Sequence, residues 1–118
     1  MSDYVRFCTV LTAFAESDFR SDAVQKGKTF GVFQQDPRWW PSATEGTDSQ
    51  CRAFVKAFTD LYKIHTGNPV VDCWLVQRWE VPGSNWPKIG PEFFKAPETV
   101  NYSSRVEAID SIIKERKL

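Results

Sequence analysis

Glu16 is the side chain whose type and position could do chemistry. It lies near the end of an apolar helical pattern running from Tyr4 to Glu16, followed by Ser17, and one polar loop later the chain passes through a short turn-rich segment, Thr29 to Gln35, that ends in paired glutamines. The spacing predicts an acid facing a hydrogen-bonding platform. A carboxylate near a helix C-terminus is disfavoured by the macrodipole, and partial burial acts in the same direction, so both would raise its pKa. A carboxylic acid held in that way can hand over a proton near neutral pH, which is the work of a general acid. Asp22 and Asp36 are the candidates for a second carboxylate. Metal chemistry finds no comparable support. Cys8, Cys51 and Cys73 show neither ligand spacing nor an even disulfide count, and His65 is the only histidine. Each cysteine sits in an apolar helical context and reads as a small buried hydrophobe.

Four helices have to position these groups. In the first, Val5, Cys8, Leu11 or Thr12, and Ala15 form a stripe that Phe7, Val10 and Phe14 widen, with Ser2 or Asp3 as the N-cap. Residues 17–30 read as a polar loop pinned to the core by Phe19 and Val24, and Thr29 to Gln35 as a tight turn or small β element closed by Asp36-Pro37. Arg38 to Ala43 is an aromatic loop in which paired tryptophans, Trp39 and Trp40, offer one stacking surface. Thr47 or Asp48 caps a second helix carrying Cys51, Phe54, Val55, Phe58, Leu61 and Tyr62 at spacings of three and four, up to about Ile64. Gly67 stops it. Asn68-Pro69 opens a third helix with Val71, Trp74, Leu75 and Arg78 on its face. Val81 to Pro97 reads as a long irregular loop held by Trp86, Ile89, Phe93 and Phe94, and a last helix begins near Pro97-Glu98-Thr99 with Val100, Val106, Ile109 and Ile112 or Ile113 buried.

A chain of 118 residues suits one domain, 1–118, with its own core. Fifteen basic and fifteen acidic residues cancel, so no broad field points to nucleic acid or an anionic membrane as partner. No stretch approaches the ~20 apolar residues of a membrane span, and no export signal opens the chain. The expectation is a protein with no membrane insertion, exported, if at all, as part of a larger polypeptide, by a holin-type route or with a virion.

Four segments, in order, resemble the lysozyme-like superfamily, in particular lytic transglycosylases and their actinobacterial and bacteriophage relatives. Thr12-Ala13-Phe14-Ala15-Glu16-Ser17 is similar to the Ala-Leu-x-Glu-Ser helix end of those families, and Gly31-Val32-Phe33-Gln34-Gln35 to their Gly-Leu-Phe/Met-Gln segment. Val76-Gln77-Arg78 resembles the Val-Gln-Arg of the actinobacterial branch, and Pro97 to Val106 its late Glu-Thr-x-x-Tyr-Val segment. The Ala-Tyr-Asn-Ala-Gly segment of many transglycosylases is absent, and the Gln77 region stands in its place.

The resemblance implies a mainly α fold (α+β, lysozyme-like) of four or five helices with a small β or turn element forming one wall of a cleft. It implies cleavage of the β-1,4 bond between N-acetylmuramic acid and N-acetylglucosamine, with Glu16 as the catalytic acid and base. Ser17, Gly31, Phe33, Gln34, Gln35, Trp39, Gln77 and Tyr102 become the substrate-side residues, the glycan strand of peptidoglycan the partner, and the bacterial cell wall the place of action, with no metal and no cofactor. Tyr102 would orient Glu16 or the sugar. The transglycosylase route needs one carboxylate, whereas a hydrolytic muramidase would add a second ~5–9.5 Å away. Two alternatives remain: a non-catalytic cell-wall-binding or virion structural module that keeps the fold, and a helical adaptor whose aromatic loops bind protein.

Overall fold

Helix α1 (Asp3–Ser17) begins where the sequence pattern expects, because the Ser2 hydroxyl accepts the Val5 amide at 3.2 Å and satisfies an otherwise orphaned donor. The computed structural model describes residues 2–61, 66–77, 95 and 97–116. Val5, Cys8, Leu11 and Thr12 recur on the buried stripe of α1. Two threonines fit into this apolar surface because Thr9 and Thr12 donate back to the carbonyls of Val5 and Cys8 at 2.7 and 2.8 Å. The stripe is narrower than its apolar letters suggest, since Val10 is exposed.

Beyond α1 the chain turns through a two-stranded antiparallel sheet, β1 (Val24–Gln25) and β2 (Thr29–Phe30), with Val24 opposite Phe30 and Gln25 opposite Thr29. The connecting turn puts Lys26 at φ 54° and Gly27 at φ 63°, and Lys28 N–H closes it onto the Gln25 carbonyl at 3.0 Å. Two left-handed residues in succession match the right-handed twist of a tight hairpin. A 3-10 turn (Pro41–Thr44) leads to α2 (Thr47–Lys56), which runs directly into one π-helical turn, Ala57–Leu61. Helices α3 (Pro69–Gln77) and α4 (Pro97–Arg116) complete the described architecture, a mainly helical domain with a small sheet.

The core joins α1, α2, α3 and α4 around Cys8, Leu11, Phe33, Phe54, Phe58 and Cys73, all essentially inaccessible to solvent. Phe54 links a ring pair on each side, to Phe33 at 5.3 Å and to Phe58 at 5.9 Å. Asn68 caps α3 as expected, its carbonyl oxygen accepting the Val70 and Val71 amides. Asp72 is the feature the sequence pattern hides. Its buried carboxylate accepts the Tyr4 hydroxyl, the Thr66 amide and hydroxyl at 2.9 and 2.8 Å, and the Gly67 amide at 3.2 Å. A buried charge is tolerated when so many donors converge on it, and here it ties the start of α1 to the entrance of α3.

Several expectations change. Phe19 and Val24 do not pin their loop to the core but are exposed, because a left-handed turn at Asp18 and Phe19 swings the chain outward and both strand residues of β1 face solvent. Val100 is likewise exposed on α4, and of the alternatives Ile112 and Ile113 it is Ile113 that is half-buried. The N-cap of α2 is Gly46 rather than Thr47 or Asp48. The expected loop from Val81 to Pro97, with Trp86, Ile89, Phe93 and Phe94, and the expectations for Tyr62, Ile64, His65 and Arg78, lie outside the described residues.

Lysine pays a steric cost at left-handed φ that asparagine largely escapes. Lys26→Asn should therefore stabilise the domain by on the order of 0.5–1 kcal/mol. A denaturant midpoint that stays the same or falls would contradict this description of the hairpin.

Candidate functional site

The end of α1 is built to stop in one place. Asp18 takes the left-handed conformation at φ 53°, so that its N–H bonds the Phe14 carbonyl at 3.0 Å and the next amide, that of Phe19, bonds the Ala13 carbonyl at 3.3 Å. This paired closure is the usual way a helix disposes of its last carbonyls, except that asparagine or glycine normally occupies the turn. Glu16 lies just inside it and is half-buried.

Two other parts of the chain meet this helix end. From α4, the Tyr102 hydroxyl donates to Glu16 Oε1 at 2.6 Å, the Asn101 amide donates to the Ala15 carbonyl at 2.9 Å, and the Arg105 guanidinium pairs with Asp18 at 2.9 Å. From the other side, the Ser17 hydroxyl contacts the Val32 carbonyl at 2.7 Å as well as the Ala13 carbonyl at 3.2 Å. Gln77, the last residue of α3, donates to the Phe33 carbonyl at 2.9 Å. Burial, and after it the negative charge of Glu16, push the Tyr102 phenol well above its ordinary range, while the Gln77 amide beside it acts weakly in the opposite sense. Tyr102 is therefore a neutral hydrogen-bond donor to the carboxylate.

The Gly31 to Gln35 segment is rigid for a reason the sequence does not announce. Phe30 and Gln35 exchange both backbone hydrogen bonds at 3.0 Å, pinching residues 31–34 into a closed turn in which Gly31 has φ 79° and Gln34 φ 48°. Into this turn projects the Gln50 side chain of α2. Its Nε2 donates to the carbonyls of Phe30 at 3.0 Å and Ala43 at 2.6 Å, and its Oε1 accepts the Phe33 amide at 3.1 Å. A Cβ on Gly31 would collide with that amide.

The glutamines expected to face a ligand are occupied within the wall. Gln34 Nε2 donates to the carbonyls of Ala23 and Gly31 at 2.9 and 2.8 Å while its Oε1 accepts from Thr29. Gln35 is completely buried, donating to the Gln50 carbonyl at 3.1 Å and accepting from Ser42 at 2.6 Å. Phe33 belongs to the core. The tryptophan pair divides: Trp40 is buried, and Trp39 is 61% exposed on the outer surface of the Asp36–Trp40 turn. Arg38 grips both carboxylate oxygens of Asp36 and holds that carboxyl below its usual range.

Glu16, Ser17, Gln77 and Tyr102 therefore converge with the backbone of Val32 and Phe33, while the side chains of Gln34, Gln35 and Phe33 build the wall from within. Sequence reasoning missed Gln50, Asn101 and Arg105. Gln50 had a signal, since it stands one turn before Phe54 and two before Phe58 on the buried stripe of α2, where a polar residue needs partners. Among the described residues, a groove of about 300 Å³ runs on the hairpin side of the wall beside Asp22, Val24, Phe30 and Thr47. No group of three or more potential metal ligands occurs among the described residues, and no helix there is long and apolar enough to cross a membrane. No protein-family model, no curated protein and no solved structure matches this chain.

Gly31→Ala must adopt a left-handed φ and displace the Gln50 amide, so it should destabilise the domain by more than about 2 kcal/mol. A variant as stable as the parent would show that the wall tolerates a shift. Tyr4 is also pushed above the ordinary tyrosine range, by burial first and by its bond to Asp72 second. The stability these two phenols contribute is complete below pH ~10, where an unfolded tyrosine titrates, and is lost as pH rises above it. Ultraviolet titration should find two of the three tyrosines protonated until alkaline unfolding begins. Reversible ionisation of all three near pH 10 in the folded protein would be inconsistent with that burial.

Proposed function

We propose that this domain is a lysozyme-like enzyme that cleaves the β-1,4 bond between N-acetylmuramic acid and N-acetylglucosamine in peptidoglycan, acting at the bacterial cell wall as a lytic transglycosylase, in the manner of a bacteriophage endolysin or tail-associated lysin. The observation that carries this reading is the meeting of Glu16 with Tyr102 at 2.6 Å on a helix end that Ser17 fastens to Val32. These are three of the four segments on which the resemblance rests, far apart in sequence and adjacent here.

In this reading the Glu16 carboxylic acid protonates the bridging oxygen as the C1–O bond breaks and N-acetylglucosamine departs. The resulting carboxylate then takes the proton from the muramoyl 6-hydroxyl as that oxygen bonds to C1, which leaves a 1,6-anhydro end and returns Glu16 to its acid form. Tyr102, neutral and buried, sets the direction of the carboxylate. Ser17 fastens the helix end to the Gly31 to Gln35 segment, and Gln77 fastens α3 to the same segment. The single-acid route is favoured over a hydrolytic muramidase because Asp36 is committed to Arg38 and Asp22 is exposed on the surface.

Glu16→Gln should lower turnover of purified peptidoglycan by at least about 100-fold, the usual worth of a positioned general acid, and Tyr102→Phe by roughly tenfold, the equivalent of one charge-assisted hydrogen bond. Mass spectrometry of the released muropeptides should find 1,6-anhydro-muramoyl ends. Reducing ends would assign the hydrolytic route instead. Unchanged turnover in Glu16→Gln would remove Glu16 as the acid, and no turnover by the parent protein would leave a non-catalytic wall-binding module.

A further inference from the structure

Beside Glu16 the same two helices present a second feature that the chemistry above does not use. The Phe19 ring is 54% exposed, yet its orientation is fixed. It lies parallel to the Phe14 ring, with centroids 5.4 Å apart and planes 5° apart. Its own backbone is held at φ 63°, directly after Asp18 at φ 53°. A bulky aromatic residue in the left-handed region is uncommon, and strain of this kind persists only where the surrounding structure enforces it. The Arg105 guanidinium lies 4.1 Å from the centre of the Phe14 ring and pairs with Asp18. The outcome is an exposed Phe19 ring stacked on Phe14, whose own ring face carries the Arg105 guanidinium, with the Asp18–Arg105 ion pair next to it in the chain.

The position of this surface follows from the helices. Arg105 follows Tyr102 by three residues on α4, so that one face of α4 carries both the partner of Glu16 and the partner of Asp18, whereas Phe14 and Asp18, two residues on either side of Glu16, lie round the end of α1 from it. The left-handed turn aims Phe19 outward where a core residue would turn in. A sugar ring has the matching chemistry, with an apolar C–H face that stacks on an aromatic ring and a rim of hydroxyl and acetamido groups that bond to charged edges.

We propose that Phe19, backed by Phe14 and preceded in the chain by the Arg105-paired Asp18, is a stacking platform for one sugar residue of the glycan strand next to the bond that Glu16 cleaves. The proposal rests on the glycan reading above and adds a named subsite to it. The ring is the part that matters: a flat face is needed, and bulk alone will not replace it.

The test uses the Glu16→Gln protein, which should hold the strand without cutting it, titrated by calorimetry with soluble uncrosslinked glycan strands and with a β-1,4-linked N-acetylglucosamine tetramer. Adding Phe19→Leu, which keeps an apolar contact with Phe14 but removes the ring, should weaken binding about tenfold, whereas Phe19→Trp should keep it within twofold, with thermal unfolding of both variants close to the parent. In the protein with native Glu16, Phe19→Leu should raise KM and leave kcat nearly unchanged. Equal binding by Phe19→Leu and the parent, or no strand binding by any of these proteins, would overturn the platform. So would a concentration-dependent dimer that Phe19→Leu abolishes in the absence of sugar binding. Unchanged KM in Phe19→Leu beside abolished turnover in Glu16→Gln removes the platform and leaves the enzyme. No turnover by the protein with native Glu16 beside lost strand binding in Phe19→Leu removes the enzyme and leaves a sugar-binding surface.

Discussion

A helix must dispose of its last carbonyls, and in this domain the way α1 does so determines where nearly everything else lies. The left-handed turn at Asp18 satisfies the carbonyls of Ala13 and Phe14, and the Asn101 amide takes that of Ala15. With α4 drawn in by that bond, Tyr102 falls against Glu16 and Arg105 against Asp18. Ser17, on the opposite side, reaches the Val32 carbonyl. One helix terminus thus becomes the junction of three chain segments. A buried phenol bonded to a half-buried carboxylate is costly to leave unmade, because separating the two strands both groups away from water.

The Gly31 to Gln35 segment that Ser17 reaches depends on side-chain amides as well as on the packing of Val32 and Phe33 in the core. Gln34, Gln35 and Gln50 all use both ends of their side-chain amides on neighbouring groups, most of them backbone. A segment of irregular backbone cannot be buried unless its N–H and C=O groups are paired, and these side chains supply the pairing that a longer sheet would otherwise provide. Gly31 is required for a related reason: it yields the space that the Gln50 amide fills. The rigidity of the wall and the glutamine-rich character of its sequence have one cause.

That cause explains what could and could not be read from the sequence. The four helices were legible, since Val5, Cys8 and Leu11 or Phe54 and Phe58 recur at helical spacing, and Ser2 and Asn68 mark starts with a physical reason behind each. The small β element was legible only at Thr29 to Gln35; its partner strand, Val24–Gln25, lies in what reads as a polar loop. The direction of exposed rings was not. Phe19 and Val24 have the letters of core residues, and only the left-handed turn, a backbone property that Asp18 does not announce as glycine would, sends Phe19 outward. Among the site residues, Glu16 and Tyr102 were named from motif resemblance and lie in contact, whereas Gln34 and Gln35 were assigned to a ligand and are occupied by the wall itself. Local sequence reports that an amide is present, but its partner lies elsewhere in the chain, as with Ser42 and Gln50.

The platform at Phe19 and the acid at Glu16 share their supports, so catalysis and strand binding would both depend on the α1–α4 contact. A double-mutant cycle of Glu16→Ala and Tyr102→Phe, read as unfolding free energy at neutral pH, examines that contact most directly. A coupling of more than about 1 kcal/mol is expected for a hydrogen bond between a buried phenol and a half-buried carboxyl group. Effects that add to within about 0.3 kcal/mol would mean that the two side chains do not meet in solution, and the junction described here would be wrong.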